Sequence, residues 1–164
     1  MIEIRAYKPL DEDFIYHSWL ASIDYNVPGI KKTTRIVIDK CVEDGTILIA
    51  SSVEDPDHIL GWASYTDMLG AYGRVLLYVF TKKHLRNGGV GGDLVRSLVP
   101  AGQVPAASWS FWCQKYNLKK KWNLKYNSLL LPVIVDGLHA EASALRKSHR
   151  EEASPPEEAP AQPH

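Results

Sequence analysis

Two neighbouring segments carry most of the information about the fold. The first is Arg74-Val75-Leu76-Leu77-Tyr78-Val79-Phe80-Thr81, and the second, which follows after a basic turn, is Arg86-Asn87-Gly88-Gly89-Val90-Gly91-Gly92. The first segment is the most continuous apolar strand pattern in the chain, which predicts a central strand. The second segment leads into residues 93–99, whose apolar side chains have helical spacing. The sequence therefore predicts a buried strand, a glycine turn and a short helix in immediate succession.

The glycine turn is predicted to bind an anion. Glycines between a strand and a helix allow backbone N–H groups to face outward without interference from Cβ atoms. At a helix N-terminus these donors and the helix dipole attract negative charge, and Arg86, Lys82 and Lys83 add positive charge nearby. Pyrophosphate suits the number of donors. A turn with a purely conformational role is the alternative.

Two familiar nucleotide motifs do not fit these glycines. A Walker loop is excluded because no Gly-Lys-Ser/Thr follows. A dinucleotide fingerprint should follow the first strand of a βαβ unit and have an acidic residue about 20 positions later. Here the glycines follow the fourth predicted strand, and residue 112 is Trp.

Periodicity on both sides of this stretch predicts an alternation of strands and helices. Before it, the sequence predicts a strand, two amphipathic helices and two strands related as a hairpin; after it, a fifth strand and a last apolar run. The corresponding residues are 2–6, 14–23, 36–42, 46–50, 59–65, 107–112 and 129–135.

Length and composition limit the class of protein. With 164 residues, a mass of 18.4 kDa and 45% hydrophobic residues, the chain fits one soluble domain. We expect this domain to span residues 1–137 and residues 138–164 to form a disordered Pro/Glu-rich tail. No apolar run is long enough to span a membrane, and the first residues do not resemble a secretory signal. Two cysteines exclude a disulfide framework and suit a reducing cytoplasm.

The net charge of zero hides a charge asymmetry. Residues 1–67 carry twelve acidic and six basic side chains, whereas residues 68–137 carry two acidic and ten basic ones. The middle segment is therefore a candidate surface for a polyanion, either a phosphorylated cofactor or a nucleic acid. Scattered, solvated lysines are the alternative.

Arg86, Gly89 and Gly91 occupy the fixed positions of an R-x-x-G-x-G motif. Between a strand and a helix this motif resembles the acetyl-CoA-binding motif of the GNAT N-acetyltransferases, and the order of predicted elements is similar over residues 1–135. Glu54-Asp55-Pro56-Asp57 before Leu60-Gly61-Trp62, together with Trp122-Asn123 and Tyr126-Asn127, resembles a small branch encoded by tailed phages. The resemblance implies an α/β GNAT fold, with a mixed central sheet, splayed fourth and fifth strands and helices on both faces.

The resemblance also implies how acetyl-CoA would bind and react. Backbone groups of the glycine turn would hold the pyrophosphate, and the edge of the fourth strand would pair with the pantetheine amides. A neutral amine would attack the thioester directly. The implied cofactor-binding residues are Tyr78, Val79, Phe80, Thr81, Arg86, Asn87, Gly88, Gly89, Val90, Gly91 and Gly92.

Proton transfer has several candidates. The family often has a Glu in or beside the fourth strand, but this strand has none. Asp67, His84 and Glu54 are the nearest candidate bases by sequence, and a water chain is equally compatible with the pattern. A tyrosine after the fifth strand is the family's usual acid, which favours Tyr126 over Tyr116, with a packed aromatic as the alternative.

Two further kinds of site are not expected. Cys113 is predicted to be a buried, unreactive thiol rather than an acyl-accepting nucleophile. The six histidines show no metal-ligand spacing, so no metal is predicted.

Residues 108–126 interleave aromatic side chains with lysines and contain no acid. Aromatic faces and positive charge are what a nucleic acid requires of its partner. Core packing of the aromatics and binding of the CoA 3′-phosphate by the lysines are the alternatives. The predicted acceptor or nucleic-acid residues are Trp109, Trp112, Lys115, Lys119, Lys120, Lys121, Trp122 and Lys125.

This pattern leads to a hypothesis about the acceptor. Some phages place an aminomethyl group on thymine and then acylate it, and a phage-like GNAT acting in the host cytoplasm could perform that acylation on a base that has left the duplex stack. An N-acetyltransferase for a protein or small amine, and a non-catalytic adaptor with the same fold, are the rival hypotheses.

Overall fold

The computed structural model describes residues 1–23, 28–67, 69–70, 73–98, 103–107, 118–127 and 129–152. Six strands form one mixed sheet whose spatial order is the chain order. The first four are antiparallel neighbours, and the last two run parallel to the fourth. They are β1 Ile2–Ala6, β2 Ile47–Ser52, β3 Ile59–Thr66, β4 Val75–Thr81, β5 Val104–Ala106 and β6 Leu124–Tyr126.

Helices cover both faces of this sheet. They are α1 Glu12–Leu20, α2 Ile30–Glu43, α3 Val90–Leu98, α4 Leu118–Lys121 and α5 Leu130–Glu152. Apolar residues of α1, α2 and α5 form one core with the sheet, and apolar residues of α3 form a second core on the opposite face. The mixed sheet between helical layers confirms the predicted fold class.

The β2–β3 hairpin and the central β4 are also confirmed. Ile47, Ile49, Trp62 and Val75 are completely buried, as continuous apolar strands in the middle of a two-faced sheet should be. The indole N–H of Trp62 is satisfied because it donates a hydrogen bond to Ser18 Oγ at 2.9 Å.

A β-bulge interrupts β4. Ser64 of β3 pairs with Tyr78 and the next residue, Tyr65, pairs with Leu76, so Leu77 is an extra residue in β4. Leu77 and Tyr78 consequently pack toward the same core, the one formed with α1, although neighbours in a regular strand face opposite sides. The bulge therefore sets which side chains of β4 face α1.

One prediction for the second half of the chain needs correction. The fifth strand is Val104–Ala106 rather than 107–112, and residues 108–112 lie outside the described part. The last apolar run, residues 129–135, leads into α5, where Pro132 is tolerated because the first turn of a helix has N–H groups without helical partners.

Helix α5 also crosses the boundary predicted after residue 137. Leu138 is only 5% exposed and belongs to the core, so the apolar face of the helix continues past that point. Residues 138–152, predicted to be disordered, are helical. Residues 153–164 lie outside the described residues, and the disorder of that segment stays a prediction.

Candidate functional site

The N-terminus of α3 lies beside the end of β4. Gly89 has a φ of 89° and caps the helix, because its carbonyl accepts the first helical hydrogen bond, from the N–H of Asp93 at 3.0 Å. The helix therefore begins at Val90, three residues earlier than predicted. Within the part of the chain that the structure describes, no acceptor is found for the amides of Gly89, Val90, Gly91 and Gly92. These four donors are available to an anion.

Gly91 and Gly92 are also needed for packing. A Cβ on Gly91 would lie 2.9 Å from two ring carbons of Trp122 and 3.2 Å from Thr81 Oγ1. A Cβ on Gly92 would lie 3.3 Å from Trp122 Nε1. The first turn of α3 is thus held between the end of β4 and an indole ring, which only residues without side chains permit. The sequence predicted only a ligand-binding role for Gly91 and gave no indication of its packing against Trp122.

The cations around the turn are not all directed at the helix N-terminus. Arg86 Nε donates a hydrogen bond to the backbone oxygen of Thr81 at 3.3 Å, which ties the turn to β4. Lys82 Nζ lies 5.5 Å from the centre of the Phe14 ring, on the face covered by α1. Lys83 and His84 lie in the short 3₁₀ turn Lys83–Leu85. Arg86 therefore contacts the junction at the end of β4, and Arg96 lies beside the first turn of α3, where it pairs with Asp93.

The described residues pair β4 with β5 at Leu76 and Ala106, where the two strands run parallel. The N–H of Ala107 donates to the Leu76 oxygen at 2.9 Å. Lys82 N–H donates to Leu60 O of β3, so by alternation the backbone groups of Val79 and Thr81 face away from β3. The splay predicted for the fourth and fifth strands is consistent with this short pairing.

The α1 side of β4 carries a cluster of aromatic rings and hydroxyls that sequence reasoning missed. The Tyr78 ring stacks on Trp19, with centroids 4.7 Å apart, and lies 5.1 Å from the Trp62 ring. The Tyr78 hydroxyl donates to Ser22 Oγ at 2.7 Å. The positions of Trp19 and Ser22 in α1 and just after it gave no signal of this contact, because the β4 bulge that turns Tyr78 toward α1 has no signature in the sequence.

The candidate bases do not converge. Asp67 follows β3 and lies near the start of β4, where its carboxylate is 3.9 Å from Arg74 Nε. His84 lies beyond the other end of β4, and seven strand residues separate the two ends by about 20 Å. Glu54 lies in the exposed β2–β3 connection. Asp67 and His84 cannot serve the same reacting atom, and which of the three acts as a base stays a prediction.

Tyr126, the predicted acid, lies in β6. Tyr126 pairs with Ala106, which pairs with Leu76, so Tyr126 is two strands away from β4. Its side chain is 40% exposed. Its role as an acid stays a prediction, and the alternative candidate Tyr116 lies outside the described residues, as does Cys113.

The predicted acceptor segment is only partly described. Lys120, Lys121 and Lys125 are exposed, and Lys119 belongs to α4. Trp122 is partly buried against Gly91 and Gly92, a packing contact that the nucleic-acid hypothesis did not anticipate. Trp109, Trp112 and Lys115 lie outside the described residues. Their proposed contact with an acceptor stays a prediction.

A separate shallow cleft lies between α2, β3, β4 and α5. It is lined in part by Lys40, Cys41, Thr66 and Leu138. Burial raises the pKa of the Cys41 thiol to about 11, so this cysteine is protonated at neutral pH. The thiol that lines this cleft is therefore a poor nucleophile. None of the residues that line the cleft belongs to α3, so the cleft is separate from the junction of β4 and α3.

The described ranges contain no group of three or more His, Cys, Asp or Glu side chains that could hold a metal ion. None of the helices built from them has the length and apolar character needed to cross a membrane.

No protein-family model matches this chain, and no curated protein matches it. Several solved structures, however, have a similar fold. YjaB from Escherichia coli is 16% identical with a TM-score of 0.53, over 74% of this chain and 81% of YjaB. A putative GNAT-family acetyltransferase from Desulfovibrio desulfuricans is 15% identical with a TM-score of 0.53. The match covers 74% of this chain and 84% of the acetyltransferase.

A third solved structure contains a CoA derivative. AAC(6′)-Iy, solved with the bisubstrate analogue CoA-S-monomethyl-acetylneamine, is 9% identical with a TM-score of 0.51, over 76% of this chain and 91% of that one. At such low identity these likenesses show the fold. The chain has the fold of the GNAT acetyltransferases, as its motif and element order predicted.

Proposed function

We propose that this protein is an N-acetyltransferase that moves an acetyl group from acetyl-CoA to a primary amine by direct attack. One observation carries the proposal: four backbone amides at the α3 N-terminus, with no acceptor among the described residues, lie at the end of β4, which the described residues pair with β5 only at Leu76. A pyrophosphate attached to an amide-containing arm is the ligand that suits both features. The likeness to solved GNAT structures supports the same ligand.

The residues of the donor site have separate tasks. Amides of residues 89–92 would bind the pyrophosphate, and the outward backbone groups of Val79 and Thr81 would pair with the pantetheine amides. Arg86 holds the Thr81 carbonyl and adds positive charge at the turn. Trp122 and Gly91 fix the direction of the helix that supplies the donors.

The reaction needs orientation and proton transfer from the protein. The amine nitrogen forms a bond to the thioester carbonyl carbon, the carbon–sulfur bond breaks, and CoA leaves as a thiolate. The nitrogen loses a proton and the thiolate gains one, and water or a side chain carries each. Holding the two reactants together removes the entropic cost of their encounter, which is a large part of the barrier.

For the acceptor, we propose an aminomethylated pyrimidine in phage DNA. The exposed Lys120, Lys121 and Lys125 support this class, because lysines without nearby acids attract phosphates. The target base would leave the duplex stack to reach β4. The proposal implies a phage-encoded protein acting in the cytoplasm of the infected cell, where acetyl-CoA and the modified DNA are both present.

The experiment has two stages. Calorimetry with acetyl-CoA tests the donor site, and absence of binding would favour the non-catalytic adaptor. The enzyme is then incubated with acetyl-CoA and DNA carrying 5-aminomethyluracil, with thymine DNA, spermidine and a lysine peptide as parallel substrates. Nucleoside mass spectrometry should show an acetylated base only in the modified DNA. Acetylation of spermidine or peptide without any modified nucleoside would refute the DNA acceptor and favour a small-amine or protein acetyltransferase.

A further inference from the structure

Strand β1 lies at one edge of the sheet. At one end of its pairing with β2, the Tyr7 N–H donates to the Ile47 oxygen at 3.2 Å, and at the other end the Met1 oxygen accepts from the Val53 N–H at 3.1 Å. The backbone groups of successive residues in an antiparallel strand face opposite edges. The groups of the even-numbered residues therefore face away from β2. These residues are Ile2, Ile4 and Ala6.

The outward backbone groups of β1 form a nearly unpaired row. Among the described residues, their one hydrogen bond is from Arg5 Nη1 to the Ala6 oxygen at 3.0 Å, and that oxygen keeps a second lone pair. Glu3 and Ala6 are exposed, so solvent reaches this edge of the sheet. A row of free N–H and C=O groups on an edge strand is a template for a further strand.

The charged side chains of β1 lie on one face of the sheet. Glu3 is exposed, and Arg5 follows two residues later on the same face, where its guanidinium donates to Asp11 at 2.7 and 2.8 Å. The Nε–H of Arg5 is buried and has no acceptor among the described residues. A carboxylate on a further strand would therefore lie beside a guanidinium that still has an unused donor.

A second copy of β1 fits this edge when it runs antiparallel, with the two-fold axis at Ile4. Ile4 then lies opposite Ile4 of the second copy, and Ile2 lies opposite Ala6. Residue pairs of this kind exchange both of their hydrogen bonds, so every outward N–H and C=O of the strand gains a partner. In the same register Glu3 lies directly opposite Arg5 of the second copy, and the symmetry repeats this pair of opposite charges.

The neighbouring registers are less favourable. An axis at Glu3 would place the two Glu3 carboxylates opposite each other, and an axis at Arg5 would do the same to the two guanidinium groups. Like charges directly opposite each other destabilise a sheet. Either shift also leaves an outward residue of β1 without a strand residue opposite it. Charge and hydrogen bonding thus favour the same register, which identifies a second copy of this chain as the partner.

We propose that two copies of this chain associate through the outer edges of their β1 strands, about a two-fold axis at Ile4, and join their six-stranded sheets into one. Glu3 of each copy faces Arg5 of the other. The pairing is closed, so assembly stops at a dimer. Since the paired strand has only five residues in each copy, the contact is small and the dimer population depends on protein concentration. The pairing does not require acetyl-CoA.

The test measures association and its location separately. Sedimentation velocity over a wide range of protein concentrations gives the dimer dissociation constant of the full chain for the wild type, Glu3→Lys and Glu3→Gln. Asp136→Lys is the matched control, because it makes the same change of charge at an exposed position of α5. Hydrogen exchange followed by NMR then reports on the amides of Ile2, Ile4 and Ala6.

We expect a monomer–dimer equilibrium for the wild type. Glu3→Lys should raise the dimer dissociation constant by at least about tenfold, because it places two cations opposite each other at both ends of the paired strands. Glu3→Gln should raise this constant by a smaller factor, and Asp136→Lys should keep the wild-type value. The amides of Ile2, Ile4 and Ala6 should exchange more slowly at high protein concentration than at low concentration.

A wild type that stays monomeric at every concentration would overturn the inference. A dimer that Glu3→Lys leaves intact, or one whose formation does not slow exchange of the three amides, would also overturn it, because the interface would then lie elsewhere. Circular dichroism shows whether each variant is folded. Glu3→Gln and the wild-type exchange rates keep the test decisive if Glu3→Lys does not fold.

Discussion

Gly91 and Trp122 are in direct contact across the first turn of α3. A Cβ on Gly91 would lie 2.9 Å from the Cη2 and Cζ2 atoms of Trp122. Real Cβ atoms essentially never approach ring carbons this closely, so the ring or the helix would have to move. The second glycine of the R-x-x-G-x-G motif is therefore required by the packing of the fold itself.

The first prediction follows from this contact. Gly91→Ala should lower the free energy of unfolding by about 1 kcal/mol, because overpacking outweighs the gain in helix propensity. Gly91→Val should lower the free energy of unfolding further, because its side chain is larger and branched at Cβ. Urea unfolding followed by circular dichroism measures both. Gly70→Ala is the control, since a Cβ there would meet no atom within 4 Å, and a Gly91→Ala variant more stable than the wild type would contradict the contact.

The second prediction concerns Arg86. Arg86→Ala should weaken acetyl-CoA binding by about 1.5–3 kcal/mol, because it removes a charged donor at the helix junction and releases the Thr81 carbonyl. Calorimetry at constant salt measures the change. Arg35→Ala, which removes a cation 5.5 Å from the Tyr16 ring, should leave the affinity unchanged. Equal affinities of Arg86→Ala and wild type would place the pyrophosphate elsewhere.

The third prediction is a dependence of stability on pH. Asp11 is 3% exposed; its carboxylate accepts hydrogen bonds from Arg5 at 2.7 and 2.8 Å and from the Lys8 N–H at 2.8 Å. Burial raises the pKa of Asp11, but the hydrogen bonds from Arg5 and Lys8 outweigh it and the pKa is lowered from 3.8. This stabilisation is present above pH 3.8 and is lost as the pH falls through the lower folded-state pKa.

Asp11→Asn should remove this part of the acid dependence and destabilise the protein at pH 7 by about 3 kcal/mol, because Arg5 is left without its counterion. Urea unfolding between pH 2 and pH 7 provides the measurement. Asp13→Asn, which changes an exposed carboxylate in the first turn of α1, should keep the wild-type profile. An unchanged profile in Asp11→Asn would mean that the ion pair does not form in solution.

The fourth prediction concerns the Cys41 thiol. With a pKa of about 11 and 3% exposure, Cys41 should react with iodoacetamide at pH 8 much more slowly in the folded protein than in urea. Mass spectrometry of the Cys41 peptide follows the reaction separately from Cys113. Rapid labelling of Cys41 without denaturant would show that the packing of α2 against the sheet does not bury its side chain.

Much of the fold was predictable from local pattern. The strand β4, the glycine turn, the helix α3 and the β2–β3 hairpin were predicted because apolar periodicity and turn residues act over a few neighbouring positions. The prediction of disorder was wrong for residues 138–152, which are helical. Apolar residues such as Leu138 are too widely spaced in this segment to indicate a helix, although the helix packs against the core.

A strand that leads through a glycine turn into a helix N-terminus could be predicted from the amino-acid sequence, because propensity and glycine geometry are local properties. Which side chains meet at this junction depends on the three-dimensional fold. The bulge at Leu77 turns Tyr78 toward Ser22, and Trp122 reaches Gly91 from about 30 residues away. Contacts between distant segments depend on register and packing, which no short stretch of sequence encodes.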